Sequence, residues 1–204
     1  MREVLDLYWK LRIKAQENEV DLTRAFPIEC NVNTPEFFTK SFNDITITLE
    51  ILDFYFSTWA KLGLKKISTE SEKTQRIILI QKMSFIEILS ALEFDSKKIV
   101  HNNQAIFGSF SGRIYLGGIM KRSFNKGLID GKKLNQWNGV IKLRNTLVHN
   151  NGISEESKIY KYPDISITLT KNKMTKGDLK MFGLLVKWIL DNSRDWIFSI
   201  KNKN

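Results

Sequence analysis

Residues 132–152 read KKLNQWNGVIKLRNTLVHNNG, and the class expected for the whole chain is worked outward from this run. It predicts a helix from Lys132 to Val148, with Gly152 placed as its stop, because glycine takes the left-handed backbone that ends helices at no Cβ cost. Upstream, Arg113 to Phe124 reads as another helix ending near Gly127. Before it, Thr69-x-x-Glu72 is a capping-box pattern ahead of an apolar run and predicts a helix over 70–92, with Ile78, Met83, Ile86 and Leu89 facing the core. Thr34-Pro35-Glu36 predicts a further start, since proline's missing donor costs nothing in the first turn. That helix is expected to reach Gly63, although the β-branched run Ile45-Thr46-Ile47-Thr48 also suits a strand. Val4 to Lys14 gives the first helix, and 19–33 and 95–110 read as irregular, with a break at Asn102-Asn103 and Gly108.

Downstream the period changes. Ile165, Ile167 and Leu169 alternate with polar residues as in a half-buried strand, and Lys171-Asn172 suggests a hairpin turn. Leu179, Phe182, Leu185, Ile189 and Trp196 trace a C-terminal helix. The expected class is therefore all-α, a mainly helical bundle with a short β-strand or hairpin near residues 159–174, in one domain over 1–204. Val-His-Asn-Asn occurs at 100–103 and 148–151 with unlike flanks, so no repeat is read from it.

Composition narrows the function classes. The chain has 204 residues, 42% hydrophobic and 26% charged, which suits one folded core rather than disorder. The single cysteine, Cys30, excludes an internal disulfide and a thiolate zinc site. With only His101 and His149, a histidine-rich metal centre is excluded too. The acidic N-terminus and the lack of eighteen consecutive apolar residues predict no signal peptide and no membrane contact; the cytoplasm is the expected compartment. A net charge of +10 favours a polyanionic partner, with nucleic acid the obvious candidate, although a lysine-rich surface also serves solubility alone. Walker, Gly-x-Gly-x-x-Gly, Gly-x-Ser-x-Gly and His-Glu-x-x-His motifs are absent, so no cofactor and no metal are expected; a carboxylate-only magnesium site stays open, although no tight Asp/Glu cluster stands out.

What remains is the segment Leu143-Arg144-Asn145-Thr146-Leu147-Val148-His149-Asn150-Asn151-Gly152. Over about ten residues it resembles the Arg-x-x-x-x-His motif of the HEPN domains, a family of helical bundles. The polar Asn145 after the arginine, the apolar pair before His149 and the Asn-Gly exit all fit. The resemblance implies a metal-independent endoribonuclease, a hydrolase of the kind found in toxin–antitoxin and defence systems. It implies catalytic Arg144 and His149, supported by Asn145. The ribose 2′-hydroxyl would attack the adjacent phosphorus, His149 would move protons, and Arg144 would hold the scissile phosphate. It also implies a homodimer, and with it an antitoxin or other defence-system partner. Members paired with a nucleotidyltransferase antitoxin often carry tyrosine two places after the histidine; here Asn151 stands there, which counts against that route.

Helix geometry adds a constraint. Positions five apart point about 140° away from each other, so Arg144 and His149 do not share a face, whereas Asn145 and His149 do. Either Asn145 orients the imidazole while the arginine reaches around, or a second subunit completes the site. Substrate contacts are expected from the basic stretch Lys121, Arg122, Lys126, Lys132 and Lys133. Glu87 is a candidate support, either pairing with a basic residue inside the bundle near Arg144 or standing half-exposed on a helix flank. Trp137 and Trp188 are expected in the core. A duller reading stays open, in which Arg144 is a surface cation and His149 a helix cap. The corresponding rival function is a catalytically inactive HEPN-like module that binds RNA or a protein; a DNA-binding regulator has no reading helix to support it.

Overall fold

A computed structural model describes residues 2–25, 36–53, 70–110 and 112–203. Among these are seven helices and one antiparallel hairpin: α1 (Arg2–Ala25), α2 (Glu36–Asp53), α3 (Glu70–Asn102), α4 (Gln104–Phe107), α5 (Leu116–Asn125), α6 (Gly131–His149), β1 (Lys158–Lys161), β2 (Ser166–Leu169) and α7 (Leu179–Lys201). The fold is all-α with a small hairpin. Cys30, Thr34, Pro35, Gly63 and Thr69, on which some expectations rest, lie outside the described residues.

α1 and α3 run about ten residues past their expected ends. In α1 the buried stripe is Tyr8, Leu11, Ala15, Asn18 and Leu22, a 3-4-3-4 spacing that keeps one face inward for the whole helix. The polar Asn18 is satisfied within that face, its Nδ2 donating to the Leu190 carbonyl of α7 at 3.3 Å. Lys14–Asp191 at 3.0 Å and Arg194–Asp21 at 2.8 Å flank the same contact. In α3 the buried residues are Gln81, Phe85, Ile88, Leu89, Leu92, Asp95, Ser96, Ile99 and Val100. Of the four residues expected inside, only Leu89 is fully buried; Met83 is 61% exposed and Ile78 37%. The register is set instead by Phe85, whose ring packs on Phe182 of α7 at 5.6 Å, and by Gln81, whose side chain accepts the Tyr8 hydroxyl.

The β-branched run of α2 stays helical because its hydroxyls find partners. Thr46 Oγ1 donates to the Phe42 carbonyl at 2.8 Å and accepts from Arg12 Nε at 2.9 Å. Thr48 meets Ser84 of α3 at 3.1 Å.

α3 breaks at Asn103, where Asn103 Nδ2 donates to the Ile99 carbonyl at 2.7 Å, and Gly108 follows with φ +70°. α6 starts on Asp130, whose carboxylate accepts from the Lys133 backbone N–H at 2.6 Å. The hairpin pairs β1 with β2, Tyr160 opposite Ile167, and its turn lies at 162–165, where the Tyr162 N–H donates to the Ile165 carbonyl at 2.8 Å. The expected Lys171-Asn172 turn is real, with Asn172 at φ +59°, but it folds the chain back onto 152–154 rather than closing the hairpin.

Every element contributes to one hydrophobic cluster. Trp137 and Trp188 are buried in it as expected, edge to face at 4.9 Å, with Tyr162 against Trp188 at 5.1 Å. Among the described residues, no helix is long and apolar enough to cross a membrane.

Candidate functional site

The Arg144–His149 segment occupies the last turns of α6, and the chain after it is fastened tightly. The N–H groups of Asn150 and Gly152 both return to the Thr146 carbonyl, at 3.2 and 2.9 Å. The left-handed backbone expected of Gly152 (φ +88°) begins one residue earlier, at Asn151 (φ +48°), which asparagine tolerates. Asn150 Nδ2 donates to Glu155 at 3.0 Å, and the Thr175 N–H donates to the Gly152 carbonyl at 2.7 Å. His149 is thus an exposed imidazole on the final residue of a helix whose end is held in place.

Arg144 points elsewhere. It is half-buried between α6, α3 and α5, with Nη2 donating to Ser90 Oγ at 3.2 Å and Nη1 donating to Asn145 Oδ1 at 3.3 Å. Its Nε is buried without a partner. The guanidinium and Asn145 border a cavity of about 240 Å³ together with Leu89, Glu93, Tyr115, Leu116, Gly117 and Ile141. His149 is not among its lining residues. Within one protomer the structure brings Arg144 and Asn145 together, and the helical turn between positions 144 and 149 directs the Cα–Cβ bonds of Arg144 and His149 about 140° apart. Asn145, which shares a face with His149, turns its carbonyl oxygen to the arginine instead.

No family model, curated protein or solved structure matches the chain.

The expected substrate-binding cations sit at the other end of the α5–α6 pair. Lys132 and Lys133 open α6, about 24 Å of helix from His149. Lys121 is exposed, but Arg122 is committed: its Nη1 donates to the carbonyls of Phe107 (3.0 Å) and Ser109 (2.7 Å), and its guanidinium lies 3.6 Å over the Phe110 ring. Lys133 pairs with Asp195 at 3.1 Å. Both lysines border a cavity of about 330 Å³ that also holds Asp130, Asp164, Asp191 and Asp195, so negative charge offsets them there. Ser90, the α3 partner of Arg144, carries no sequence signal that singles it out.

Glu87 pairs with Lys40 of α2 at 2.7 Å, so its basic partner in the bundle is not Arg144. Neighbouring Asp44 has one carboxylate oxygen buried without a partner. Burial pushes its carboxyl up to about 6, with Lys40 opposing and Glu87 adding to the rise. The folded state then holds the Asp44 proton more tightly than the unfolded chain, whose carboxyl titrates near ~3.9, so this group's contribution to stability declines between about pH 4 and 6 and stays low above it. Asp44→Asn is expected to flatten that decline in denaturant titrations and to add about 1 kcal/mol at pH 7, after allowance for solvent screening of a half-buried group.

Proposed function

We propose that the chain is a metal-independent endoribonuclease of the HEPN type, cutting RNA at a site assembled between two copies. The observation that carries this reading is the placement of two groups on one helix end: an exposed, positioned imidazole at His149 and a seated guanidinium at Arg144, about 140° apart around α6. A two-fold axis near the end of α6 would let each copy present His149 to the other's Arg144. Exposed apolar residues around His149 favour such a contact, namely Val148 (39%), Ile153 (45%) and Met174 (66%), the last two bridged to each other.

In the reaction, the ribose 2′-oxygen forms a bond to phosphorus and gives its proton to a base, while the bond to the 5′-oxygen breaks and that oxygen takes a proton. His149 serves the proton transfers. Arg144 places a planar fork of donors against the phosphate and the charge that builds on it. Asn145 and Ser90 keep the fork aimed. RNA incubated with the protein in excess chelator is expected to yield 2′,3′-cyclic phosphate and 5′-hydroxyl ends; 3′-hydroxyl ends would contradict the mechanism.

The dimer is tested separately. Met174→Glu places a charge in the apolar patch and is expected to convert a sedimenting dimer to monomer and to lower cleavage with it. In a toxin or defence setting, expression of the active protein would slow growth in a His149-dependent way. A second reading is an inactive RNA- or protein-binding module; it is favoured by the two bonds that already tie Arg144 to Ser90 and Asn145.

A further inference from the structure

Four of the helices close a ring: α2 packs on α1 and α3, and α7 packs on the same two from the other side. α7 brings large apolar side chains to the ring, with Phe182, Leu185, Val186 and Ile189 all buried. α2 is different. Its buried residues among those described are Phe38, Ser41, Ile45 and Thr48, and two of these four carry hydroxyls. Towards α1 the contact is well made, with the Arg12 guanidinium donating to Thr46 and lying 4.6 Å from the centre of the Phe42 ring. Towards α3 it is polar and unfinished. Thr48 meets Ser84 at 3.1 Å and Lys40 meets Glu87 at 2.7 Å. Asp44, between these two contacts in sequence, buries its Oδ2 without a hydrogen-bond partner, and so does Ser41 at its Oγ. Such atoms keep the full cost of leaving water.

We infer that the α2–α3 seam is a proton-dependent opening in the bundle, in which α2 stays docked on α3 while Asp44 carries its proton and parts from it, ahead of any other helix of the ring, once that proton is lost. The charged groups facing Asp44 are Lys40 on its own helix and Glu87 on α3; on the α1 side Arg12 is turned to Thr46 and Phe42. The Lys40 ammonium is held by Glu87, so an ionised Asp44 stands beside a second carboxylate with its buried oxygen unsatisfied. A neutral Asp44 has no such conflict. Burial pushes this carboxyl up to about 6, whereas a released one titrates near ~3.9, so opening is rarest on the acid side of pH 6 and grows above it. Between pH 5 and 7.5 the linkage changes the opening equilibrium by about fivefold, after allowance for solvent screening of a half-buried group. Released from the ring, an 18-residue helix with Ile45-Thr46-Ile47-Thr48 in its interior is marginal in water, so its amides exchange when it parts. The opening is independent of the chemistry at Arg144 and His149.

The test is native-state hydrogen exchange of the whole protein, read by mass spectrometry at pH 5.0 and 7.5 with exchange times corrected for the intrinsic rate at each pH. Peptides from α2 are expected to be at least about tenfold less protected than the slowest peptides of α7, which exchange through global unfolding. In low urea their exchange should rise with a shallower slope than that of α7, because a local opening exposes less surface. Protection of α2 is expected to be about fivefold higher at pH 5.0 than at pH 7.5. Asp44→Asn, neutral at both values, should remove that difference and hold α2 at the parent's pH 5.0 protection. Equal protection and equal urea slopes for α2 and α7 would mean that Asp44 acts on global unfolding alone and would overturn the opening. So would a ratio between the two pH values below about twofold, or a ratio that survives Asp44→Asn. Should the variant fail to fold, the parent's own ratio and urea slopes still decide.

Discussion

His149→Ala is expected to slow RNA cleavage by about 10²- to 10⁴-fold, the range for losing a positioned proton donor and acceptor. Arg144→Ala is expected to cost about 10²- to 10³-fold through lost stabilisation of phosphate charge. Both losses should be separable from unfolding. His149 is exposed at the helix terminus, and Ser90, the α3 partner of Arg144, keeps a hydrogen bond of its own to the Ile86 carbonyl at 2.8 Å when the arginine is removed. Arg144→Lys is the sharper control. It keeps a charge at the cavity but removes the fork, and one ammonium cannot contact Ser90, Asn145 and a phosphate in the same arrangement. Single-turnover rates on a labelled RNA in chelator, with thermal melts of each variant alongside, measure all three.

Gly139→Val is expected to destabilise the fold by about 3 kcal/mol, at the upper end for overpacking a filled core. A Cβ at Gly139 would lie 2.5 Å from the Tyr162 hydroxyl and 2.6 Å from the Tyr160 ring. The missing side chain is what lets the hairpin lie flat on α6, where Tyr162 donates to the Gln136 carbonyl at 2.7 Å and Gln136 Nε2 donates to the Lys161 carbonyl at 2.9 Å. Glycine inside a helix costs about 1 kcal/mol in propensity, so its presence here reflects this close approach. Urea denaturation measures the loss, and Gly139→Ala is expected to fall between valine and the parent.

The legible parts of the fold were those punctuated by local chemistry. α6 could be placed to within a residue at each end because Asn-Asn-Gly closes it, and the strand over 166–169 showed its alternation directly. α1 and α3 extend into stretches that read as irregular, 19–33 and 95–110, because polar residues such as Asp95 and Ser96 are buried in the helical face, where tertiary packing overrides their polarity. The inward register of α3 was misread for the related reason that exposed Met83 and Ile78 are apolar. At the candidate site, the motif was visible but its spatial company was not. Ser90 is 54 residues from Arg144, Asn145 chose the arginine over its helical neighbour His149, and the basic stretch that is densest in sequence folded to the far end of α6.

The central claim, that guanidinium and imidazole meet from different copies, is tested most directly by mixing two inactive variants. Arg144→Ala and His149→Ala proteins are combined, dissociated and reassembled. In a two-fold dimer about half of the assemblies are mixed and each regains one intact site, so about a quarter of the parent cleavage rate should return. Activity no higher than the sum of the two variants measured alone would contradict a site shared between copies.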